Sequence, residues 1–145
     1  MTLQGDRTAD YGAAMGSTPR ASVGAVGIAV RDLDRSAAFY TQVMGMSELY
    51  RLRLPHMDEI ILGYAGSRGA AVVLMHYTDG TQPATTGHPV KLVAYVPDPT
   101  ALAAAIRADG LPVTREPEAV PALGDAVVGF AEDPDGYTIE ILQAR

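Results

Sequence analysis

Few side chains of this sequence could carry out chemistry. The 145 residues include no cysteine, which excludes disulfides, thiolate metal sites and cysteine nucleophiles. Glu140 could accept a proton, and Lys91 could stabilise a developing enolate or oxyanion. His76 carries an imidazole whose titration range suits acid–base work. These three residues are the predicted catalytic residues.

Each of these residues also has a simpler interpretation. Lys91 and Glu140 could form only a structural ion pair, and a lone histidine is more often a surface or hydrogen-bonded residue than a catalyst. His56 and His88 fall in predicted loops, where exposure to solvent is the favoured explanation. Tyr95 could hydrogen-bond or stack on a ligand, or it could be a half-buried tyrosine at a sheet edge. Both interpretations are open for every residue.

The composition indicates one globular domain. Hydrophobic residues make up 48% of the chain and the formal net charge is -6, with no long basic run that could collect phosphates. Nucleic acid is therefore not an expected partner. The first twenty residues contain no apolar stretch typical of a signal peptide or a membrane span, so we expect no membrane association and a cytoplasmic location. Residues 1–21 have no periodicity and are predicted to form a flexible arm.

The rest of the chain contains two copies of one unit. At an offset of 66 residues Val30 and Asp32 match Val96 and Asp98. Each copy begins with a β-branched run, followed by an Asp that can cap a helix, an apolar helical stripe and three further strands. The later strands are predicted at Ser47–Leu54, Glu59–Tyr64 and Ala71–Tyr77, then at Pro112–Glu116, Ala126–Ala131 and Thr138–Gln143.

This plan predicts an α+β fold in which two β-α-β-β-β repeats form a curved mixed sheet around a cleft, with the helices outside. Residues 22–145 are expected to form a single domain, with repeat one at 22–78, a linker at 79–88 and repeat two at 89–145. Because side chains alternate along a strand, one face of each sheet should line the cleft. The predicted lining residues are Ala25, Gly27, Ala29, Val72, Leu74, His76, Lys91, Val93, Tyr95, Thr138, Glu140 and Leu142.

Two motifs carry a resemblance to a known family. Val30–Ser36, leading to Phe39-Tyr40, and Glu132–Tyr137, leading to Ile139-Glu140, resemble segments of the vicinal-oxygen-chelate superfamily, which includes glyoxalase I, bleomycin-resistance proteins and extradiol dioxygenases. The resemblance implies a divalent metal held by the first and last strands of each copy. The corresponding positions here are Ala25, Leu74, Lys91 and Glu140, of which only Glu140 binds a metal well. We therefore expect no metal and no other cofactor.

The same resemblance guides the expected function. The positions of two residues that glyoxalase I uses for glutathione are Ala29 and Thr78 here, so the expectation is a protein unlike a working glutathione-dependent glyoxalase I. The leading hypothesis is a metal-independent lyase or isomerase acting on a small hydrophobic, oxygen-bearing metabolite. The alternatives are an antibiotic-sequestering protein of the bleomycin-resistance type and a noncatalytic subunit. The predicted substrate-binding residues are Tyr95, Leu74, Ala25, Val93 and Leu142.

The resemblance also implies a homodimer. Many family members exchange their two copies between chains, so Ala25 and Leu74 of one chain could meet Lys91 and Glu140 of another. The two copies could equally pair within one chain, and the sequence leaves both arrangements open.

Overall fold

The computed structural model describes residues 21–145, and nearly all of the predicted N-terminal arm lies outside the described residues. The first half contains β1 (Ala25–Ala29), α1 (Leu33–Ala38), a π-helical turn (Phe39–Val43), β2 (Ser47–Arg53), β3 (Met57–Gly63) and β4 (Ala71–Tyr77). The second half contains β5 (Lys91–Val96), α2 (Pro99–Ala108), β6 (Val113–Val120), a 3-10 turn (Pro121–Leu123), β7 (Ala126–Glu132) and β8 (Thr138–Gln143).

The two halves share one sheet topology. The strand order is β1-β4-β3-β2 in the first sheet and β5-β8-β7-β6 in the second. In each sheet the first and last strands of the half run parallel, and the other neighbours are antiparallel. The predicted α+β fold of two β-α-β-β-β repeats is confirmed. Within residues 21–145 the repeats form two separate four-stranded sheets, which do not join into a closed one.

Both helices begin where the sequence places a capping aspartate. The Asp32 side chain accepts a hydrogen bond from the Arg35 backbone N–H at 2.9 Å, and Asp98 accepts one from the Ala101 N–H at 2.9 Å. These bonds satisfy donors that the first turn of a helix leaves without partners. The matching caps place each helix directly after its strand, so that it crosses one face of its own sheet.

The hydrophobic core lies between the helices and the sheets and spans both halves. Phe39 and Tyr40 are fully buried in it, and their rings meet edge to face with centroids 5.0 Å apart. The buried strand residues of the core include Ile28, Ile60, Leu62, Leu74, Ala94, Ile139 and Ile141. We call the sheet face that carries these residues the helix face, and the opposite face of each sheet the open face.

Two buried aspartates of the turn before β8 join the halves. Asp135 accepts hydrogen bonds from the Arg31 backbone N–H at 2.9 Å, from Arg31 Nε at 3.2 Å and from the Ser36 hydroxyl at 2.8 Å. Asp133 accepts one from the Tyr40 hydroxyl at 2.6 Å. The Tyr137 hydroxyl donates to the Ala29 carbonyl at 2.8 Å. The turn, which the sequence predicts only as a reversal, therefore connects repeat two to repeat one.

Strand β6 is longer than predicted. The predicted strand ends at Glu116, but β6 continues through Pro117, which cannot donate to a sheet ladder, to Val120. The register with β7 shifts between Arg115 and Glu118, so Pro117 lies in a bulge of an edge strand. Proline is tolerated at such a bulge because no ladder hydrogen bond is needed there.

None of the helices within residues 21–145 is long and apolar enough to cross a membrane.

Candidate functional site

Lys91 and Glu140 form an ion pair on the open face of the second sheet. Lys91 Nζ donates to Glu140 Oε2. Their strands are adjacent and parallel, with Lys91 opposite Thr138 and Val93 opposite Glu140. The short distance between the two side chains agrees with the sequence-based expectation that they lie close together.

The two members of this pair differ in exposure. The Lys91 side chain is 55% exposed and that of Glu140 is 12% exposed. Glu140 is also flanked by apolar side chains, because Phe130 of β7 lies directly opposite it and Val93 lies beside it on β5. A carboxylate in this position can accept a proton, and the adjacent ammonium group can donate hydrogen bonds to an oxygen that gains charge.

Other predicted substrate-binding residues share this open face. Val93 and Tyr95 are 42% and 68% exposed, and Leu142 is paired in register with Tyr95. Ala25 lies in the first sheet, where it is exposed at the start of β1. The open face of the second sheet is therefore mostly apolar around the ion pair, which is the usual composition of a small-molecule site.

The prediction of which β4 side chains line the cleft is wrong by one position along the strand. Leu74, predicted to line the cleft and bind substrate, is fully buried in the core, and Val72 is 7% exposed in the same cluster. Leu74 pairs with Ile28, and both side chains lie on the helix face. Val73, which was expected to face the helices, is paired with Gly27 and therefore lies on the open face.

An uneven repeat explains this error. The strand pairings match Ala25 with Lys91 and Val73 with Glu140, so the offset is 66 residues on the first strands and 67 on the last. On the third strands Ile61 matches Phe130, an offset of 69. The loops of the two halves differ in length, and a uniform offset of 66 therefore places Leu74 where Val73 lies. The same change of face applies to Met75.

His76 is not on the open face with the ion pair. Side chains two apart on a strand share a face, so His76 lies on the helix face with Leu74, whereas Met75 lies on the open face. Its Nδ1 lies 3.2 Å from the Val30 carbonyl oxygen. His76 lines a cavity of about 540 Å³ at the carboxyl ends of β1 and β4, whose lining does not include Lys91 or Glu140. The structure therefore separates His76 from the other two predicted catalytic residues.

Sequence reasoning missed several open-face residues. Phe130 lies opposite Glu140, and Glu59 lies opposite Met75. The Met75 side chain covers Gly27, because a Cβ atom on that glycine would lie 3.0 Å from the Met75 sulfur. These residues could have been found from the antiparallel pairing of the third and fourth strands of each half. That pairing can be aligned only when the lengths of the connecting loops are known.

The residues at the expected metal positions do not fit a divalent cation. The pairings place Ala25, Val73, Lys91 and Glu140 there, and these side chains supply one carboxylate and one cationic amine. Zinc and similar ions need three or more imidazole, thiolate or carboxylate donors, and a protonated lysine repels a cation. Within residues 21–145 no three His, Cys, Asp or Glu side chains are grouped so that they could hold a metal ion.

Comparison with known proteins shows which family this fold resembles. The family model described as Glyoxalase/Bleomycin resistance protein/Dioxygenase superfamily matches residues 22–141. The probable lactoylglutathione lyase of Vibrio cholerae is 39% identical over 119 residues, which are 80% of this chain and 86% of that protein. The lactoylglutathione lyase of Salmonella typhimurium is 37% identical over 119 residues, covering 80% of this chain and 87% of that protein.

A solved structure of a glyoxalase I also has a similar fold. Glyoxalase I from Zea mays superimposes with a TM-score of 0.74 at 30% sequence identity, over 85% of this chain and 45% of the maize chain. This chain thus spans less than half the length of the maize chain.

These relatives contradict the function expected from the sequence. The expectation of a metal-independent lyase or isomerase for a small hydrophobic metabolite, unlike a glutathione-dependent glyoxalase I, is wrong, because relatives at 37–39% identity are named lactoylglutathione lyases. That expectation was based on Ala29 and Thr78, which occupy the positions of two glutathione-binding residues of glyoxalase I. The lyase names also give no support to the antibiotic-sequestering alternative.

Proposed function

From the premise that the chain belongs to the glyoxalase/bleomycin resistance protein/dioxygenase superfamily, we propose that it acts as a lactoylglutathione lyase. The observation that carries this proposal is the 37–39% identity to named lactoylglutathione lyases over four fifths of the chain. The substrate class is then a thioester of a hydroxy acid with glutathione, or the matching adduct of glutathione and an oxoaldehyde.

The chemistry of this substrate defines what the site must do. A lactoyl thioester carries an acidic hydrogen on the carbon that bears the hydroxyl group. Removal of that proton gives an enediolate. Return of a proton to the former carbonyl carbon, together with transfer of the hydroxyl proton from the second oxygen to the first, gives a hemithioacetal. The hemithioacetal then loses its hydroxyl proton and expels the thiol, which leaves the oxoaldehyde and glutathione. Proton transfer between two adjacent carbons is the step that needs a base.

Glu140 is the proposed base and Lys91 the proposed oxyanion-stabilising residue. The Glu140 side chain is only 12% exposed and lies beside apolar groups. The Lys91 ammonium group donates a hydrogen bond to it. One carboxylate can take the proton from the first carbon and deliver it to the second. The Lys91 ammonium can donate to the enediolate oxygen as charge develops. Val93, Tyr95, Leu142 and Ala25 are proposed to bind the substrate.

Turnover measurements on variants test this assignment. We expect the purified chain to convert a mixture of methylglyoxal and glutathione into lactoylglutathione. Glu140→Gln should lower kcat by roughly a hundredfold or more, because the amide cannot accept the proton. Lys91→Met should lower kcat by roughly a hundredfold with a smaller change in KM, because it removes a donor to the transition state.

A matched control uses another exposed ion pair, between Arg107 of α2 and Glu116 of β6. Glu116→Gln removes a carboxylate away from the open faces and should leave kcat unchanged. Absence of any lactoylglutathione formation by the wild-type chain, or full activity of folded Glu140→Gln, would refute the proposal.

The proposed assembly is a homodimer in which a second copy covers the open faces. On the open face of the second sheet Val93 and Tyr95 are 42% and 68% exposed, and clustered exposed apolar side chains are typical of interaction surfaces. In this assembly Ala25 and Val73 of one chain would face Lys91 and Glu140 of the other. Residues 22–145 as one domain, the linker at 79–88 and the cytoplasmic location stay predictions.

A further inference from the structure

One cavity of the described chain lies away from the Lys91–Glu140 pair. It occupies about 540 Å³ beyond the carboxyl ends of β1 and β4, which are adjacent and parallel. Residues 80–85 form its other wall. Ligand pockets typically have volumes of about 300–1,000 Å³, so this cavity is large enough for a small metabolite.

Thr85 adds a hydroxyl group to the lining of this cavity. Thr85 lines the cavity and is only 7% exposed. Its hydroxyl makes no hydrogen bond to any residue in the part of the chain that the structure describes. Because every fully buried side-chain nitrogen or oxygen of the described residues has a hydrogen-bond partner, this unpaired hydroxyl is accessible to solvent. The hydroxyl can therefore hydrogen-bond whatever fills the cavity.

Arg31 gives the cavity a cationic group. Its Nε donates to Asp135 at 3.2 Å and its Nη2 to the Pro134 carbonyl at 3.1 Å. Among residues 21–145 its third nitrogen, Nη1, has no hydrogen-bond partner. The guanidinium group is thus held in place by the turn before β8 and keeps one nitrogen for an acceptor. No acidic side chain lines the cavity to compete for it.

His76 supplies an acceptor on the same wall. Because a carbonyl oxygen can only accept, the contact of 3.2 Å to the Val30 oxygen assigns the proton to Nδ1. The neutral ring then carries a lone pair on Nε2. The cavity therefore combines a guanidinium donor, an accessible hydroxyl and an imidazole acceptor with apolar walls from Ala29, Val30 and Pro83.

We propose that this cavity is a binding site for a small organic carboxylate that carries a hydrogen-bond donor near the carboxyl group, with the carboxylate on Arg31 and Thr85 and the donor on His76. Arginine recognises carboxylates through such charge-assisted hydrogen bonds. Two sources offer this chemistry, namely a free hydroxy acid and a peptide such as glutathione, which bears carboxylates beside amino and amide groups. The proposal does not depend on lyase activity.

Binding measurements on the full chain test the site. The probes are lactate and glutathione, each compared with its neutral ester, by titration calorimetry and by the NMR signals of the His76 ring, assigned with His76→Gln. We expect at least one of the two acids to bind and to shift the His76 signals, while its ester binds at least tenfold more weakly. The acid that binds identifies the source.

Two variants connect binding to the cavity. Thr85→Val keeps the shape and removes the hydroxyl, and it should weaken binding by roughly threefold to tenfold, the effect of one hydrogen bond. Arg31→Lys keeps the charge but not the forked geometry and should weaken binding about tenfold. Thr114→Val, at an exposed position of β6, is the control and should bind like the wild type.

Glu140→Gln separates this proposal from the lyase proposal. It should lower kcat by roughly a hundredfold or more and leave carboxylate binding at His76 intact. The cavity proposal is overturned if neither acid binds, if the esters bind as tightly as the acids, or if Thr85→Val and Arg31→Lys both bind like the wild type.

Discussion

The contact between Tyr40 and Asp133 shows how single residues hold the two halves together. Both side chains are buried, and the Tyr40 hydroxyl donates to the Asp133 carboxylate at 2.6 Å. Burial raises the pKa of Tyr40 well above its usual value, and the Asp133 charge raises it further. The hydroxyl therefore stays protonated and keeps donating at any ordinary pH.

Removal of this hydroxyl should destabilise the fold. We expect Tyr40→Phe to lower the free energy of unfolding by about 1.5–3 kcal/mol, because a buried carboxylate loses a charge-assisted donor. Urea denaturation measures the change. Tyr64→Phe is the control, because Tyr64 is 36% exposed and donates at 2.8 Å to a neutral carbonyl, that of Met44. An equal loss in both variants would contradict this explanation.

Asp133 should also make stability depend on pH. Burial raises the pKa of Asp133, although hydrogen bonds from Tyr40 and from the backbone of Tyr137 and Asp135 oppose the shift. A group whose pKa is higher in the folded state stabilises the fold below its unfolded pKa of about 3.9 and loses that contribution as pH rises through the folded pKa.

Comparison with Asp133→Asn isolates this effect. The unfolding free energy of the wild type minus that of the variant should decrease as pH rises from the unfolded pKa of Asp133 towards neutrality. Urea denaturation over this range measures the difference, with Asp125→Asn as a control at an exposed position. A difference that increases with pH would show that hydrogen bonding outweighs burial.

At the scale of elements, the order and type of the strands and helices could be predicted because local signals define them. The capping residues Asp32 and Asp98 lie where both helices begin. The faces of β5 and β8 were also predictable, since Lys91, Val93 and Glu140 alternate with buried aliphatic residues.

The face of β4 could not be predicted in the same way. Ala71–Met75 is apolar throughout, so alternation gives no signal there and only the repeat offset could assign the faces. The offset changes along the chain because the connecting loops differ in length. The cavity beside His76 was equally hidden, since it depends on how residues 80–85 lie against the ends of β1 and β4.

The bulge of β6 places a strict size limit on β7. A Cβ atom on Gly129 would lie 2.9 Å from the Pro117 ring and 3.1 Å from the Arg115 carbonyl oxygen. We expect Gly129→Ala to lower the free energy of unfolding by about 1–3 kcal/mol through overpacking. Gly24→Ala is the control, because no atom lies within 4 Å of its Cβ position. Equal thermal unfolding midpoints for the two variants would contradict the close approach.

For the whole molecule, the exposed open faces predict an assembly that can be disrupted. In the proposed homodimer Tyr95, 68% exposed in one chain, is covered by the second copy. Tyr95→Glu would bury a charge there without a partner, so it should shift the chain towards monomer. Light scattering after size-exclusion chromatography measures the mass. Arg53→Glu, at the exposed end of β2, is the control for added charge. A wild-type chain that is monomeric at all concentrations would refute the dimer.

The hydrogen bonds of Asp133 and Asp135 link residues about a hundred positions apart in the chain, whereas the segment between the halves at 78–90 contains no helix or strand. These hydrogen bonds and the shared core therefore hold the halves together, and the peptide chain that connects them is not needed for this. A protease that nicked it would release no stable product, because neither fragment could cover its half of the shared core alone. The two pieces, expressed as separate polypeptides, should find each other and complement, so the domain is suited to a split reporter.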